Sequence, residues 1–169
     1  GRTDRLTATA VSRQPQRPTP FAIVTKQFSV MSTRSSAGTT RYSRQVSFAP
    51  LGDAGQQQLE RGRALICGCG ALGSVIANTL VRGGVGFVRI VDRDFLELNN
   101  LQRQVLYDEA DVAAGLPKAI AAAGKLRAIN SQVDIEPVVA EVTIANSEQL
   151  ASDVDVIVDG TNNLEIQIL

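Results

Sequence analysis

A short apolar strand that runs into a glycine-rich turn is the feature that most constrains the fold of this chain. The apolar run Arg63–Cys67 precedes the turn at 68–73, and residues with helical periodicity follow it. A second apolar run, Phe87–Val91, ends at Asp92. A strand, a glycine turn, a helix and a second strand with an acid at its end form a unit that holds the phosphates and ribose of a nucleotide. We therefore predict a nucleotide site at this turn.

The rest of the sequence alternates between helical and strand patterns. Helices are predicted at 53–60, 75–81, 117–129 and 147–150, and two further strands at 133–142 and 154–158. Asp53 is the expected N-cap of the first helix. Strands that alternate with helices form a mostly parallel sheet with right-handed crossovers. The predicted fold class is α/β: a Rossmann-like, mostly parallel sheet with helices on both faces, truncated after its fourth strand.

The amino-acid composition excludes several kinds of chemistry. The chain has 169 residues and no His, so it can form neither a Ser-His-Asp triad nor a His-ligated zinc site. Its two cysteines, Cys67 and Cys69, cannot complete a tetrahedral zinc site. No apolar run approaches the ~20 residues of a membrane span. We therefore expect a soluble domain whose acid and base chemistry falls to carboxylates, Lys or Tyr.

The first 40 residues differ in composition from the rest. They are rich in Ser, Thr, Arg, Pro and Gln without a sustained apolar period, so we expect residues 1–40 to form a disordered basic arm. An Arg- and Ser-rich, acid-poor N-terminus is also typical of an organellar transit peptide. The remainder has no basic stripe, so nucleic acid is not an expected partner. Without a clear signal peptide, the expected location is cytoplasmic.

Two polar segments bear on whether the nucleotide is ATP or NAD. A glycine turn binds either, but adenylation also needs cations around the triphosphate. Asn100, Arg103 and Gln104 follow the second strand, and Lys118 begins a predicted helix. Both segments fall where the carboxyl ends of parallel strands form a crevice. The alternative interpretations are a surface salt bridge for Arg103 and a solvated position in the first helical turn for Lys118.

An ordered series of motifs over residues 41–163 resembles the ThiF-type adenylyltransferases. The series includes Arg41-Tyr42-Ser43-Arg44-Gln45, Gly68-x-Gly70-x-x-Gly73, Asp92-x-Asp94, Asn100-Leu101-Gln102-Arg103-Gln104, Pro117-Lys118 and Ile129-Asn130. The group includes the enzymes that activate the sulfur-carrier proteins of thiamine and molybdopterin synthesis. The resemblance implies ATP-dependent adenylation of the C-terminal glycine carboxylate of a ubiquitin-like sulfur-carrier protein, with release of pyrophosphate. Residues 41–169 would then form an ATP-binding adenylation domain that is incomplete at its C-terminus.

The resemblance also implies roles for individual residues. Nucleotide contacts are implied for the glycine turn, the acids after the second strand and the two polar segments: Gly68, Gly70, Ala71, Leu72, Gly73, Asp92, Asp94, Asn100, Arg103, Gln104 and Lys118. Arg44, Arg103 and Lys118 are the implied catalytic residues, which contact the phosphates. Arg44 would reach into the site of a second subunit, so the resemblance implies a homodimer.

The sequence departs from the family pattern in two respects. Asn162 stands where the family has an Asp positioned for Mg²⁺, and an amide attracts this cation less than a carboxylate does. We therefore expect weakened Mg²⁺ binding and turnover. The Cys-x-x-Cys pairs that usually hold structural zinc in the family are absent, as are the family's later strands, so we expect a fragment or a truncated product.

Two other functions stay open on the sequence. One is a nucleotide-binding module that is inactive through Asn162 and truncation. The other is an NAD-dependent oxidoreductase, which shares the glycine turn but gives no role to Arg44, Arg103 and Lys118 together. Within the family, a relative that acts on a modified tRNA base after adenylation is a further alternative.

Overall fold

The structure, a computed structural model, describes residues 40–161 and the backbone of residues 24–25. The strands are β1 (Val24–Thr25), β2 (Arg63–Cys67), β3 (Phe87–Val91), β4 (Asp134–Val138) and β5 (Val156–Asp159). The α-helices are α1 (Ser43–Val46), α2 (Gly52–Arg61), α3 (Ala71–Gly83), α4 (Glu109–Ala113), α5 (Lys118–Ile129) and α6 (Ile144–Ala151). Short 3₁₀ helices lie at Thr40–Tyr42 and Leu98–Asn100.

The strands form one sheet in the order β1-β5-β2-β3-β4. The four strands from β2 to β5 are mutually parallel, whereas β1 is antiparallel to β5. The register places Cys67 beside both Val91 and Asp159, so the carboxyl ends of three strands meet at one edge of the sheet. The predicted mostly parallel Rossmann-like sheet is therefore confirmed.

Two apolar layers hold the helices on opposite faces of the sheet. On one face Ile66 and Ile90 are fully buried in a cluster that includes Leu126 of α5 and residues of α3. On the other face Leu65 packs in a smaller cluster with Leu150 of α6. Successive strand residues point to opposite faces, so a strand that is covered on both sides is apolar throughout. This arrangement explains the continuous apolar runs in β2 and β3.

Several predicted element boundaries were wrong. Asp53 lies in the first turn of α2 instead of capping the helix. The helix begins one residue earlier, at Gly52, because Gly55 N–H donates to the carbonyl of Leu51, which is the N-cap residue. The helix predicted at 147–150 begins at Ile144, because the Asn146 side chain accepts a hydrogen bond from Thr143 N–H in a capping box. Strand β4 ends at Val138, where its pairing with β3 also ends.

The predicted N-terminal arm lies mostly outside the described residues. Within it, residues 24–25 form β1, with Val24 beside Ile157 and Thr25 beside Val156 of β5. An edge strand presents unpaired N–H and C=O groups that a β-branched segment can pair with. The other residues of 1–39 lie outside the described part of the chain, so the disordered basic arm stays a prediction. Asn162, the expected magnesium ligand, also lies outside the described residues.

Candidate functional site

A cavity of about 510 Å³ opens at the carboxyl ends of β2, β3 and β5. It is lined by nine of the residues for which the sequence predicted nucleotide contacts: Gly68, Gly70, Ala71, Leu72, Asp92, Asp94, Arg103, Gln104 and Lys118. The crevice beyond the carboxyl ends of parallel strands is the usual ligand site of an open α/β sheet. The structure therefore brings most of the predicted site together in one place.

The glycine turn joins β2 to α3 and forms one wall of the cavity. Gly68 has a left-handed φ of +84°, and its N–H donates to the Val91 carbonyl over 2.7 Å. A Cβ added to Gly73 would lie 1.9 Å from the Gly68 carbonyl oxygen, so only glycine lets α3 pack this closely against the turn. Ala71 and Leu72, the first residues of α3, line the cavity. The partial positive charge at the start of α3 therefore faces the cavity.

Asp92 stands at the end of β3, beside the glycine turn. Its Oδ2 accepts a hydrogen bond from Cys69 N–H over 2.7 Å, and its Oδ1 accepts one from Asp94 N–H over 2.8 Å. These two bonds fix the orientation of the carboxylate, and each oxygen has a second lone pair. Asp92 can thus accept further hydrogen bonds from a ligand hydroxyl in the cavity.

Lys118, the first residue of α5, is buried at the cavity wall with its side chain only 9% exposed. Its Nζ lies 2.8 Å from Asp94 Oδ2, and its backbone N–H donates to the Asp94 carbonyl over 2.9 Å. The solvated first-turn lysine considered from the sequence is therefore wrong. A cation at a helix N-terminus is unfavourable unless an anion offsets it. Asp94 supplies that anion.

Arg103 and Gln104 sit on a compact loop that Asn100 organises. Asn100 Oδ1 accepts a hydrogen bond from Glu97 N–H, and the Asn100 carbonyl accepts bonds from the N–H groups of Arg103 and Gln104. Asn100 is itself only 8% exposed and does not line the cavity. In this structure Asn100 shapes the loop, whereas Arg103 and Gln104 are the residues that line the cavity.

Gln104 has an unusual environment for a polar side chain. The residue is only 3% exposed, and its Oε1 is a buried atom that has no hydrogen-bond partner among the described residues. Its Nε2 would lie 3.9 Å from a Cβ added to Gly70, so the amide faces the glycine turn. A buried amide oxygen without a partner is costly. The site thus offers an unmatched polar group at the cavity wall.

Gly73 and Arg44 do not line the cavity. Gly73 is buried behind the glycine turn, where its role is close packing. Arg44 is exposed on α1, whose next residue, Gln45, donates to the Gly83 carbonyl over 2.9 Å. Gly83 is the last residue of α3, and the cavity lies at the first turn of that helix. Arg44 therefore lies at the other end of α3 and does not reach the cavity of its own chain.

Seven cavity residues were missed by the sequence analysis: Val91, Arg93, Ala140, Glu141, Val142, Gly160 and Thr161. Arg93 Nη1 and Glu141 Oε2 form an ion pair over 2.6 Å that joins the segment after β3 to the segment after β4. A Cβ on Gly160 would lie 2.8 Å from the Gly73 Cα, so Gly160 is required where β5 passes the turn. The Arg93–Glu141 pair and the close approach of Gly160 to Gly73 arise because β3 pairs with β4 and β2 pairs with β5, although these strands are far apart in the sequence.

The two thiols in this region are unreactive. Cys67 and Cys69 are free and buried. Burial raises the pKa of Cys67 to about 11 and that of Cys69 to about 12. The thiolate is the nucleophile and the metal ligand, so neither cysteine is active near neutral pH.

Within 40–161 no three His, Cys, Asp or Glu side chains are grouped to hold a metal ion. None of the helices in the described part of the chain is long and apolar enough to cross a membrane.

Comparison with known proteins decides the family. Residues 42–169 match the sequence profile of the ThiF family. The chain belongs to the ThiF family. This ThiF domain is 51% identical over 131 residues to the sulfur carrier protein ThiS adenylyltransferase of Bacillus subtilis, covering 78% of this chain and 39% of that protein. It is 37% identical to the sulfur carrier protein adenylyltransferase of Thermus thermophilus, covering 76% of this chain and 47% of that protein.

A solved structure shows the same fold. The ThiF domain superimposes on the Escherichia coli tRNA N6-threonylcarbamoyladenosine dehydratase TcdA, in complex with ATP, with a TM-score of 0.70 and 26% identity. The match covers 79% of this chain and 54% of that one. The chain thus spans less than two thirds of the length of each of these proteins.

Proposed function

We propose that this ThiF domain binds ATP and adenylates the C-terminal glycine carboxylate of a ubiquitin-like sulfur-carrier protein. The observation that carries the proposal is the convergence of the glycine turn, Asp92, Arg103 and Lys118 on one cavity. The names of the relatives support the reaction class, because both are sulfur carrier protein adenylyltransferases. The nucleotide is supported by the ATP that TcdA holds.

The charged and polar groups around the cavity support one orientation of the nucleotide. Asp92, held by Cys69 N–H, would accept hydrogen bonds from the ribose hydroxyls. The phosphates would lie against the glycine turn and the start of α3, where unpaired N–H groups favour anions. Arg103 and Lys118, which also line the cavity, would supply positive charges to the phosphates. On binding, the triphosphate would replace Asp94 as the counter-ion of Lys118.

The reaction itself is a displacement at phosphorus. A carboxylate oxygen of the carrier forms a bond to the α-phosphorus, and the bond from the α-phosphorus to the bridging oxygen breaks, so that pyrophosphate leaves. The carboxylate needs no general base, because it is already ionised at neutral pH. Arg103, Lys118 and the start of α3 would stabilise the negative charge that develops on the phosphates. This chemistry suits a chain that has no His.

Arg44 completes the proposed site from a second copy of the chain. It is exposed and lies at the far end of α3 from its own cavity, so it can contact phosphates only in a partner's site. A homodimer in which each chain lends Arg44 to the other accounts for this position. Asn162 would hold Mg²⁺ as a weaker ligand than the family's Asp, and the cation would supply positive charge beside the phosphates.

A non-catalytic nucleotide-binding module is the second candidate. The observation that favours it is Asn162, which removes a negative charge from the proposed metal site. The NAD-dependent oxidoreductase is disfavoured, because it gives no role to Arg103 and Lys118 at the cavity.

Titration calorimetry with ATP and NAD⁺ tests the choice of nucleotide. The proposal predicts binding of ATP alone, whereas preferential binding of NAD⁺ would exclude it. Formation of an acyl-adenylate on an added sulfur-carrier protein, detected by mass spectrometry, separates the enzyme from the module. ATP binding without that adduct would favour the module.

A further inference from the structure

We propose that Tyr107 is a positioning residue, whose hydroxyl holds the three phosphate-facing segments of the cavity in register. The segments are the glycine turn, the loop that carries Arg103 and Gln104, and the start of α5 with Lys118. The inference rests on the proposed ATP site, and it adds a residue that does not line the cavity.

The hydroxyl of Tyr107 joins two of these segments directly. It lies 2.7 Å from the Cys69 carbonyl oxygen in the glycine turn and 3.4 Å from the Lys118 carbonyl oxygen in α5. Both partners are acceptors, so the single hydroxyl proton is shared, with the shorter bond dominant. Tyr107 is only 7% exposed, so water does not readily replace these bonds.

The backbone of Tyr107 joins the third segment. Its N–H donates to the Gln104 carbonyl over 3.2 Å, which closes the loop that presents Gln104 and Arg103 to the cavity. The position of the Tyr107 ring is thus tied to that loop. A shift of the loop relative to the glycine turn or α5 would break the bonds made by the hydroxyl.

The hydrogen bond from Tyr107 to Cys69 also helps to fix the peptide group that donates to Asp92 at the end of β3. The Cys69 N–H donates to Asp92 Oδ2, and the Cys69 carbonyl accepts from Tyr107, so the peptide groups on both sides of Cys69 are fixed. Burial raises the pKa of Tyr107 well above its ordinary value, which keeps the hydroxyl protonated as a donor. The turn is thus held between the ribose-binding carboxylate and the tyrosine.

The test compares Tyr107→Phe with Tyr42→Phe in the full chain. Tyr107→Phe removes only the hydroxyl, and the ring can still fill the core. Tyr42 is the matched control, because it is 5% exposed and its hydroxyl accepts a hydrogen bond from Asn130 Nδ2 over 2.9 Å, away from the cavity. Circular dichroism and thermal melting verify that both variants fold.

The expected result separates positioning from general stability. In Tyr107→Phe the affinity for ATP should fall about 5- to 10-fold, because the phosphates depend on the register of all three segments. The affinity for adenosine should fall less than about 2-fold, because Asp94 N–H still donates to Asp92 Oδ1 and orients the carboxylate that would bind the ribose. Tyr42→Phe should leave both affinities unchanged. Equal ATP affinity in Tyr107→Phe and the parent, or equal losses for ATP and adenosine, would overturn the inference.

Amide hydrogen exchange tests the inference without ATP. Exchange of the peptide that spans residues 68–73 should be faster in Tyr107→Phe than in the parent or in Tyr42→Phe. A parent chain that binds no ATP would overturn the proposed function, while this exchange would still test the tyrosine bond. Unchanged exchange in Tyr107→Phe would overturn the positioning role.

Discussion

Lys118 and Asp94 form an ion pair at the cavity wall, with Nζ 2.8 Å from Oδ2. The lysine side chain is 9% exposed, whereas the aspartate side chain is 57% exposed. The Lys118 side chain is therefore held in place by burial and by its position at the start of α5, whereas the Asp94 side chain lies toward solvent. In the proposed site a phosphate of ATP would take the place of that partner, so we expect Lys118 to receive the triphosphate.

Replacement of Lys118 should weaken ATP binding selectively. Lys118→Ala removes a charge-assisted hydrogen bond worth about 1.5–3 kcal/mol, so the ATP dissociation constant should rise at least about 10-fold. Lys125→Ala is the control, because Lys125 lies on the same helix but pairs with Asp108 and Asp111 outside the cavity. Isothermal titration calorimetry measures both. Equal ATP affinities in the two variants would contradict the assigned role of Lys118.

Replacing two buried or helical glycines by alanine should change the free energy of unfolding in opposite directions, one in the glycine turn and one in α5. Gly73→Ala places a Cβ 1.9 Å from a backbone oxygen and should lower the free energy of unfolding by about 3 kcal/mol or more. Gly124→Ala, in α5, meets no atom within 4 Å and should raise it by up to about 1 kcal/mol. Urea unfolding followed by circular dichroism gives both values. A Gly73→Ala protein as stable as the parent would show that the turn is not packed as described.

The buried thiols predict a loss of stability at alkaline pH. In the unfolded chain they ionise near pH 9, whereas burial raises the pKa to about 11 for Cys67 and about 12 for Cys69. The contribution of the two protonated thiols to the free energy of unfolding is fully present below pH 9. It falls as the pH rises toward the pKa values of the folded protein, because in that range the unfolded chain loses the thiol protons and is stabilised, whereas the folded chain keeps them. Unfolding free energies at pH 7.5 and 9.5, measured under reducing conditions, should differ more in the parent than in a Cys67→Ala, Cys69→Ala double variant. An equal difference in both proteins would contradict the raised pKa values of the two thiols.

The position of Arg44 predicts complementation between inactive subunits. Arg44→Ala and Lys118→Ala should each abolish adenylation. A mixed dimer contains one site with an intact Lys118 and an intact Arg44 from the other chain. Co-refolded equal mixtures should therefore recover about a quarter of the parent activity, since half of the dimers are mixed and each has one complete site. No recovery in mixtures shown to exchange subunits would place Arg44 outside the partner's site.

Much of the site could be predicted from sequence because its signals are local. The glycine turn and Asp92 belong to one strand-turn-helix-strand unit, in which the spacing itself sets the geometry. Lys118 was found as a cation at a helix start, although its burial and its bond to Asp94 were not foreseen. These residues are identifiable because each has an unusual residue type at a defined position in an element.

The remaining site residues depend on contacts that the sequence does not encode locally. Arg93 meets Glu141 only because β3 and β4 are neighbours, and Gly160 meets the glycine turn only because β5 lies beside β2. Tyr107 follows an apolar residue in an irregular segment, so nothing in its surroundings indicates that its hydroxyl reaches Cys69. Such residues emerge only when the register of the sheet is known.

The most direct test of the adenylation proposal is ATP–pyrophosphate exchange by the purified chain with Mg²⁺ and a ubiquitin-like sulfur-carrier protein. The proposal predicts exchange that depends on the carrier, that is lost in Lys118→Ala and in Arg103→Ala, and that persists in Lys125→Ala. A folded chain that binds ATP but supports no exchange would contradict it and leave a nucleotide-binding module without the chemistry.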